Sequence, residues 1–204
     1  MRPTLVVFVK APRPGRVKTR LARDIGTVEA AWWFRHQSAA LIRRLSRDRR
    51  WRTVLAVTPD AEGLRSRAWP ARLARAGQGE GDLGRRMARF LRREPGTGVP
   101  PAPVAIVGAD IPALTPAHVA DAFRVLRGHA AVLGPAADGG YWLIGLSAMA
   151  RVRRDVLTGV RWSTEHALAD TVARLDGLSV RFAATLADVD TAADLRAAAA
   201  AARQ

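Results

Sequence analysis

The chain of 204 residues is 49% hydrophobic and carries 33 Lys+Arg against 18 Asp+Glu, a formal net charge of +15. That apolar content suffices for one sizeable core, so a single domain over residues 1–204 is expected, and the absence of cysteine excludes disulfides, thiolate metal sites and a cysteine nucleophile. No segment approaches the ~18 apolar residues of a membrane helix, and the first apolar run, Leu5 to Val9, is too short for a signal-peptide core; a cytoplasmic protein is expected.

The first strand-like run, TLVVFV, breaks into KAPRPGRVKTRLA, a loop with Lys10, Arg13, Arg16, Lys18 and Arg20. Every other basic residue of the chain is arginine, so both lysines fall in this loop. A rotatable ammonium grips phosphate as a point charge. Pro12 and Pro14 stiffen the loop and Gly15 permits close backbone approach, which suits an anion site; exposed charges on an exposed loop are the plain alternative. It is not a Walker A loop, because Gly15 stands three residues before Lys18 instead of next to it.

A helix over Val28 to Ser46 follows, then the strand RTVLAVT and a helix over Leu83 to Arg93. After the surface loop REPGTGVPPAP comes PVAIVGA, whose end at Gly108 delivers the lone carboxylate Asp110 before Pro112. An acid there either caps a turn or suits Mg²⁺, which prefers one or two carboxylates plus water and phosphate. Thr115 and Pro116 read as the N-cap and first residue of a helix to Arg127. AAVLGPA and YWLIGL are strands, the second of mixed direction, and Asp138, Gly139 and Gly140 between them form either a hairpin turn or a loop whose amides meet a ligand beside Tyr141 and Trp142. A helix over Thr164 to Leu175, the strand LSVRFAA and a helix over Ala192 to Ala202 complete the chain. In LADVDTAADL, Thr191 and Asp194 form a capping box. Asp188 and Asp190 have no such explanation, and one of them can complete a metal site with Asp110.

The alternation of periods points to an α/β domain with a Rossmann-like, mostly parallel but mixed sheet flanked by helices, whose ligands bind where strands deliver their C-terminal ends. Nucleic acid is disfavoured as the main partner because arginines are spread over RRLSRDRRWR, RRMARFLRR and RVRRD as a solvated surface, without a helix-turn-helix or an aromatic platform. The four histidines show no ligand spacing. No Ser-His-Asp arrangement, G-x-S-x-G elbow or G-x-G-x-x-G follows the first strand.

Six blocks, KAPRPGRVKTRLA, GQGEGDLGRRM, GADIPALTP, GPAADGGYWLIGL, VRWST and LADVDTAADL, occur in the order found in a family of A-type glycosyltransferases similar to phospholactate guanylyltransferase and molybdenum-cofactor guanylyltransferase. The chain resembles that family from Val6 to about Leu195. The resemblance implies a nucleotide-diphospho-sugar transferase (GT-A-like) fold with Lys10, Arg16, Lys18 and Arg20 as the phosphate grip. Gln78, Gly79, Asp82 and Gly84 would flank base or ribose, and Asp138, Gly139, Gly140 and Tyr141, with Trp162, Ser163 and Thr164, would line the acceptor side. Asp110 would be the metal aspartate and Asp190 the second contact to Mg²⁺ or Mn²⁺, with Lys18 and Asp110 carrying the chemistry. GADIP holds a single acid where many glycosyltransferases have D-x-D.

Transfer from an NTP and transfer from an NDP-sugar need the same parts, since both develop pyrophosphate charge that cations must neutralise. The expectation is therefore an Mg²⁺-dependent transferase acting on a nucleotide or nucleotide-sugar and a small acceptor. A non-catalytic nucleotide-binding module of the same fold is the rival. Asp110 and Asp190 are expected at one sheet edge, close enough for at least one acid to have a raised pKa.

Overall fold

The computed structural model describes residues 1–152 and 157–201. One sheet contains seven strands: β1 (Thr4–Lys10), β2 (Arg52–Thr58), β3 (Ala74–Gly77), β4 (Val104–Gly108), β5 (Ala131–Pro135), β6 (Tyr141–Leu146) and β7 (Val180–Phe182), in the spatial order β3-β2-β1-β4-β6-β5-β7. Only β6 runs against its neighbours β4 and β5; the pairs β1 with β2, β1 with β4, β2 with β3 and β5 with β7 are parallel. The reason is connection length: a five-residue loop joins β5 to β6 as a hairpin, whereas parallel neighbours need longer crossovers.

Helices cover both faces, which is why the central strands read as near-continuous apolar runs. On one face Leu5, Val7, Leu55, Val57 and Val107 pack with Leu41, Ile42 and Leu45 of α2 (Thr27–Ser46) and Val119 of α5 (Pro116–Val125). On the other, Val6, Ala56, Ile106, Leu133 and Ile144 meet Met87, Phe90 and Leu91 of α4 (Leu83–Leu91), with Leu168 and Val172 of α6 (Ala167–Arg174) at the margin. Truncating one such buried leucine costs about 2–5 kcal/mol. A third, smaller cluster joins Leu21 of α1 (Thr19–Ile25), Ala30 and Val189, and carries Leu195 and Ala198 of α7 (Ala192–Ala201).

Three short elements are not legible in the sequence: α1, α3 (Asp60–Arg65) and β3. β3 has an arginine in a four-residue strand, yet Arg75 is held there because its guanidinium donates to the carbonyls of Gly63, Leu64, Ser66 and Trp69. The helix expected from Thr164 begins later, at Ala167, because Thr164 forms its own turn: its hydroxyl donates to the Arg161 carbonyl at 2.8 Å and accepts from the His166 amide at 3.2 Å. The expected caps are present. The Thr115 amide donates to His118 Nδ1 at 3.2 Å, and Asp194 Oδ2 accepts from the Thr191 amide and hydroxyl, both at 2.8 Å.

The solvated-arginine reading needs one correction. Arg151 is buried, donating to the carbonyls of Phe90, Leu91, Pro100 and Ala102. The rest of RVRRD beyond Val152, and Ala202 of the last expected helix, lie outside the described residues. Among the described residues no helix is long and apolar enough to cross a membrane.

Candidate functional site

β1 and β4 are parallel neighbours with Phe8 opposite Gly108, so the loops after them leave the sheet side by side. The segment before α7 joins them there: the Val189 amide donates to the Asp110 carbonyl at 3.3 Å, and the Val189 side chain is buried against Leu21 and Ala30. With Val189 turned inward, Asp188 and Asp190 flank it and reach the same place as Asp110. Lys18 enters from the β1 loop in a left-handed conformation (φ 47°, ψ 49°), which costs a lysine about 1–2 kcal/mol and begins α1.

Lys18 Nζ lies 2.6 Å from Asp110 Oδ2, 2.8 Å from Asp190 Oδ1 and 3.9 Å from Asp188 Oδ2. Arg20 bonds the other Asp190 oxygen at 3.1 Å. The Lys18 side chain is only 6% exposed, and its burial opposes the charge, but Asp110 and Asp190 outweigh that and raise its pKa above the ordinary lysine value. Asp188 is pushed up to about 6, first by burial and then by the Asp110, Asp190 and Asp138 carboxylates, with Lys18 acting against the shift. The carboxylates that converge thus outnumber the ammonium between them.

Two cavities meet at this wall. One, of about 350 Å³, is lined by Lys10, Arg16, Lys18, Arg20, Asp110 and Asp190. The other, of about 250 Å³, lies on the far side under Tyr141, Trp142 and Trp162, and Asp110, Asp138 and Asp188 also line it. Asp110 belongs to both.

Lys10, Arg16, Lys18 and Arg20, expected to grip phosphate, therefore come together, and Asp110 and Asp190 do share one edge. What they share in this structure is Lys18. Its ammonium, expected to face a phosphate, is engaged by carboxylates, because a buried cation and clustered anions each lower the cost of the other. Among the described residues no cluster of three or more His, Asp or Glu side chains forms a metal-binding group.

Gln78, Gly79, Asp82 and Gly84 line neither cavity, and each has a packing or hydrogen-bonding task. Buried Gln78 donates to the Ala56 carbonyl and accepts from Arg86; the Gly79 amide donates to Asp60; Asp82 caps α4 by accepting from the Arg85 amide at 2.7 Å. A Cβ on Gly84 would stand 2.7 Å from the Trp162 ring, so this glycine seats a wall of the second cavity. Of the acceptor group, Asp138, Gly140, Tyr141, Trp162, Ser163 and Thr164 line that cavity. Gly139 instead turns the hairpin at φ +82°, where a Cβ would strike the Glu165 backbone. The loop is thus both the hairpin turn and part of a cavity wall. Burial raises the Tyr141 pKa above its ordinary value, with a hydrogen bond from Thr171 acting the other way.

Asp188, the alternative to Asp190 as partner of Asp110, reaches the site as well; the alternate spacing D-x-D places both acids on one side of an extended segment.

The fold is that of the nucleotide-diphospho-sugar transferases: a protein from Desulfovibrio desulfuricans G20, provisionally described as one, superimposes with a TM-score of 0.84 at 31% identity over 94% of this chain and 84% of that one. The chain belongs to the family DUF2064, described as "uncharacterized protein conserved in bacteria", whose model matches residues 41–164. At the level of fold it is also similar to a molybdopterin-guanine dinucleotide biosynthesis protein A from Archaeoglobus fulgidus (TM-score 0.56, 16% identity, 98% of this chain and 100% of that one). A manganese complex of a Mycobacterium tuberculosis H37Rv protein, Rv0371c, is similar at the same level (TM-score 0.52, 17% identity, 97% and 98% covered). No curated protein matches the sequence.

Proposed function

We propose that this chain is a divalent-metal-assisted transferase that moves a group from an activated nucleotide to a small acceptor. The observation carrying the proposal is that Asp110 lines two cavities of opposite character, a cationic one and an aromatic one. Donor phosphates would lie among Lys10, Arg16 and Arg20, the acceptor beneath Tyr141 and Trp162, and the reacting atoms at the seam. Descriptions of relatives as a nucleotide-diphospho-sugar transferase and a dinucleotide biosynthesis protein support a nucleotide donor. They are consistent with both glycosyl and nucleotidyl transfer.

The residues fit a divalent cation. Oxygens of Asp110 and Asp190 already converge on one positive centre, the Lys18 ammonium, and the Asp188 carboxylate stands 3.9 Å from the same nitrogen. The manganese-bound mycobacterial relative supports the same reading. Asp110 and Asp190 would hold the ion, which when bound neutralises charge developing on a pyrophosphate. Lys18, released from one carboxylate, would turn its ammonium toward the phosphates while Arg20 keeps Asp190 in place.

Isothermal titration with NTPs and NDP-sugars, with and without Mg²⁺, tests the proposal. The expected outcome is metal-dependent nucleotide binding followed by turnover with an acceptor. Asp110→Asn is expected to abolish the metal dependence and Asp190→Asn to reduce it. Binding that never leads to turnover across a broad acceptor panel would mark a nucleotide-binding module, and absence of nucleotide binding with either metal state would overturn the proposal.

A further inference from the structure

The aromatic cavity has a charge pattern unlike the rest of the molecule. In a chain with 33 Lys+Arg, no lysine or arginine among the described residues lines it. Its polar wall is made of Asp110, Asp138 and Asp188, with the hydroxyls of Ser163 and Thr164. Lys18, which pairs with Asp110 and stands 3.9 Å from Asp188, lines the opposite cavity and is already engaged by Asp110 and Asp190. The remaining walls are flat or apolar: Tyr141 and Trp162 stand edge to face with centroids 6.3 Å apart, and Leu83 and Met87 close the side.

From this juxtaposition we infer that the acceptor is a compact molecule with a flat apolar body and a neutral or cationic polar end, and that phosphate- and carboxylate-bearing acceptors are rejected. The inference rests on the two-cavity reading above and deepens it. An anionic end would lie beside three carboxylates with no lysine or arginine among the described lining residues to compensate it, and like charges in a partly desolvated site repel strongly enough to decide between candidates. An ammonium gains Asp138 and Asp188, and a hydroxyl finds Ser163 or one of the same carboxylates. The aromatic edges favour a flat partner. A cation held by Asp110 and Asp190 would not reverse this preference, because Asp138 sits in the hairpin loop and lines the aromatic cavity but not the cationic one.

Three probes of one shape separate the possibilities: tyramine, tyrosol and 4-hydroxyphenylacetate share an aryl body and end in an ammonium, a hydroxyl and a carboxylate. Titrated into ¹⁵N-labelled full-length protein at about pH 7.5, tyramine and tyrosol are expected to move the indole resonances of Trp142 and Trp162, with Trp162→Phe identifying its own signal. The carboxylate is expected to bind at least about tenfold more weakly than the amine, a like-charge penalty of the usual size. Asp138→Asn should narrow the gap between amine and acid while leaving tyrosol nearly unchanged. A carboxylate that binds as well as the amine, or no response to any probe at about 10 mM, where even a millimolar site would be filled, overturns the inference. The nucleotide titration fails independently: lost nucleotide binding with the probe order intact removes the transferase reading but leaves the cavity's preference standing.

Discussion

Lys18 holds its backbone in the left-handed region while its ammonium lies between Asp110 and Asp190. Removing it leaves three facing carboxylates without their buried counter-charge. Lys18→Ala is therefore expected to weaken nucleotide binding by about 1.5 to 3 kcal/mol, the range for a charge-assisted hydrogen bond, as read by calorimetry. It should also lower the melting temperature at neutral pH. Asp188 makes the opposite prediction. Its folded pKa of about 6 lies above the ordinary carboxylate value, so its contribution to stability is complete below about pH 4 and is lost as pH rises toward 6 and beyond. Asp188→Asn should then raise the melting temperature at pH 7.5 and lose that gain at pH 4, measured by scanning fluorimetry across pH. A gain that is equal at both values would show that the shift belongs elsewhere.

At the scale of elements, the aromatic cavity depends on how closely α4 approaches the segment carrying Trp162. A Cβ at position 84 would come within 2.7 Å of the indole and 2.9 Å of the Leu157 carbonyl. Backbone cannot yield as a flexible side chain does, so Gly84→Ala is expected to cost about 1–3 kcal/mol and to displace Trp162, seen as a changed indole resonance and weaker tyrosol binding. Arg151 joins the end of α4 to the loop before β4 through four carbonyls, and burial, with Arg93 nearby, lowers its pKa to about 10. Arg151→Met leaves those carbonyls unpaired. A loss of at least about 3 kcal/mol in denaturant unfolding is expected, and Arg151→Lys should recover only a part, because an ammonium cannot reproduce the planar fork. A loss below about 1 kcal/mol would mean that water replaces the guanidinium.

For the whole molecule, the cationic cavity lies at the parallel half of the sheet and the aromatic one at the reversed β6 with its hairpin, with Asp110 between them beyond the end of β4; in the proposed reading these would be the donor and acceptor sides. A ligand bridging the two halves should stabilise the fold as a unit. At a nucleotide concentration of 100 times its Kd, in the presence of Mg²⁺, the stabilisation expected is about 2.7 kcal/mol. The increase in melting temperature should fall sharply when EDTA replaces the metal. An equal increase without metal would remove the cation from the binding step.

Some of this was legible in the residues themselves. Strand and helix periodicity defined the α/β class, Thr115 and Asp194 declared their caps, and two lysines confined to one loop marked the cationic groove, because these signals are local and each needs only a few neighbours in the chain. Other features required the folded chain. β3 survives with Arg75 inside it because carbonyls outside the strand accept its guanidinium, and the Gln78 side chain is held by the Ala56 carbonyl and Arg86. Asp188 joins the site because Val189 turns inward against Leu21. Lys18 meets acids 92 and 172 positions away along the chain only where parallel strands end side by side. Sequence determines which groups carry charge and which segments extend or coil; how those charges compensate one another depends on through-space distances of a few ångströms, and these exist only once β1, β4 and the segment before α7 have packed together.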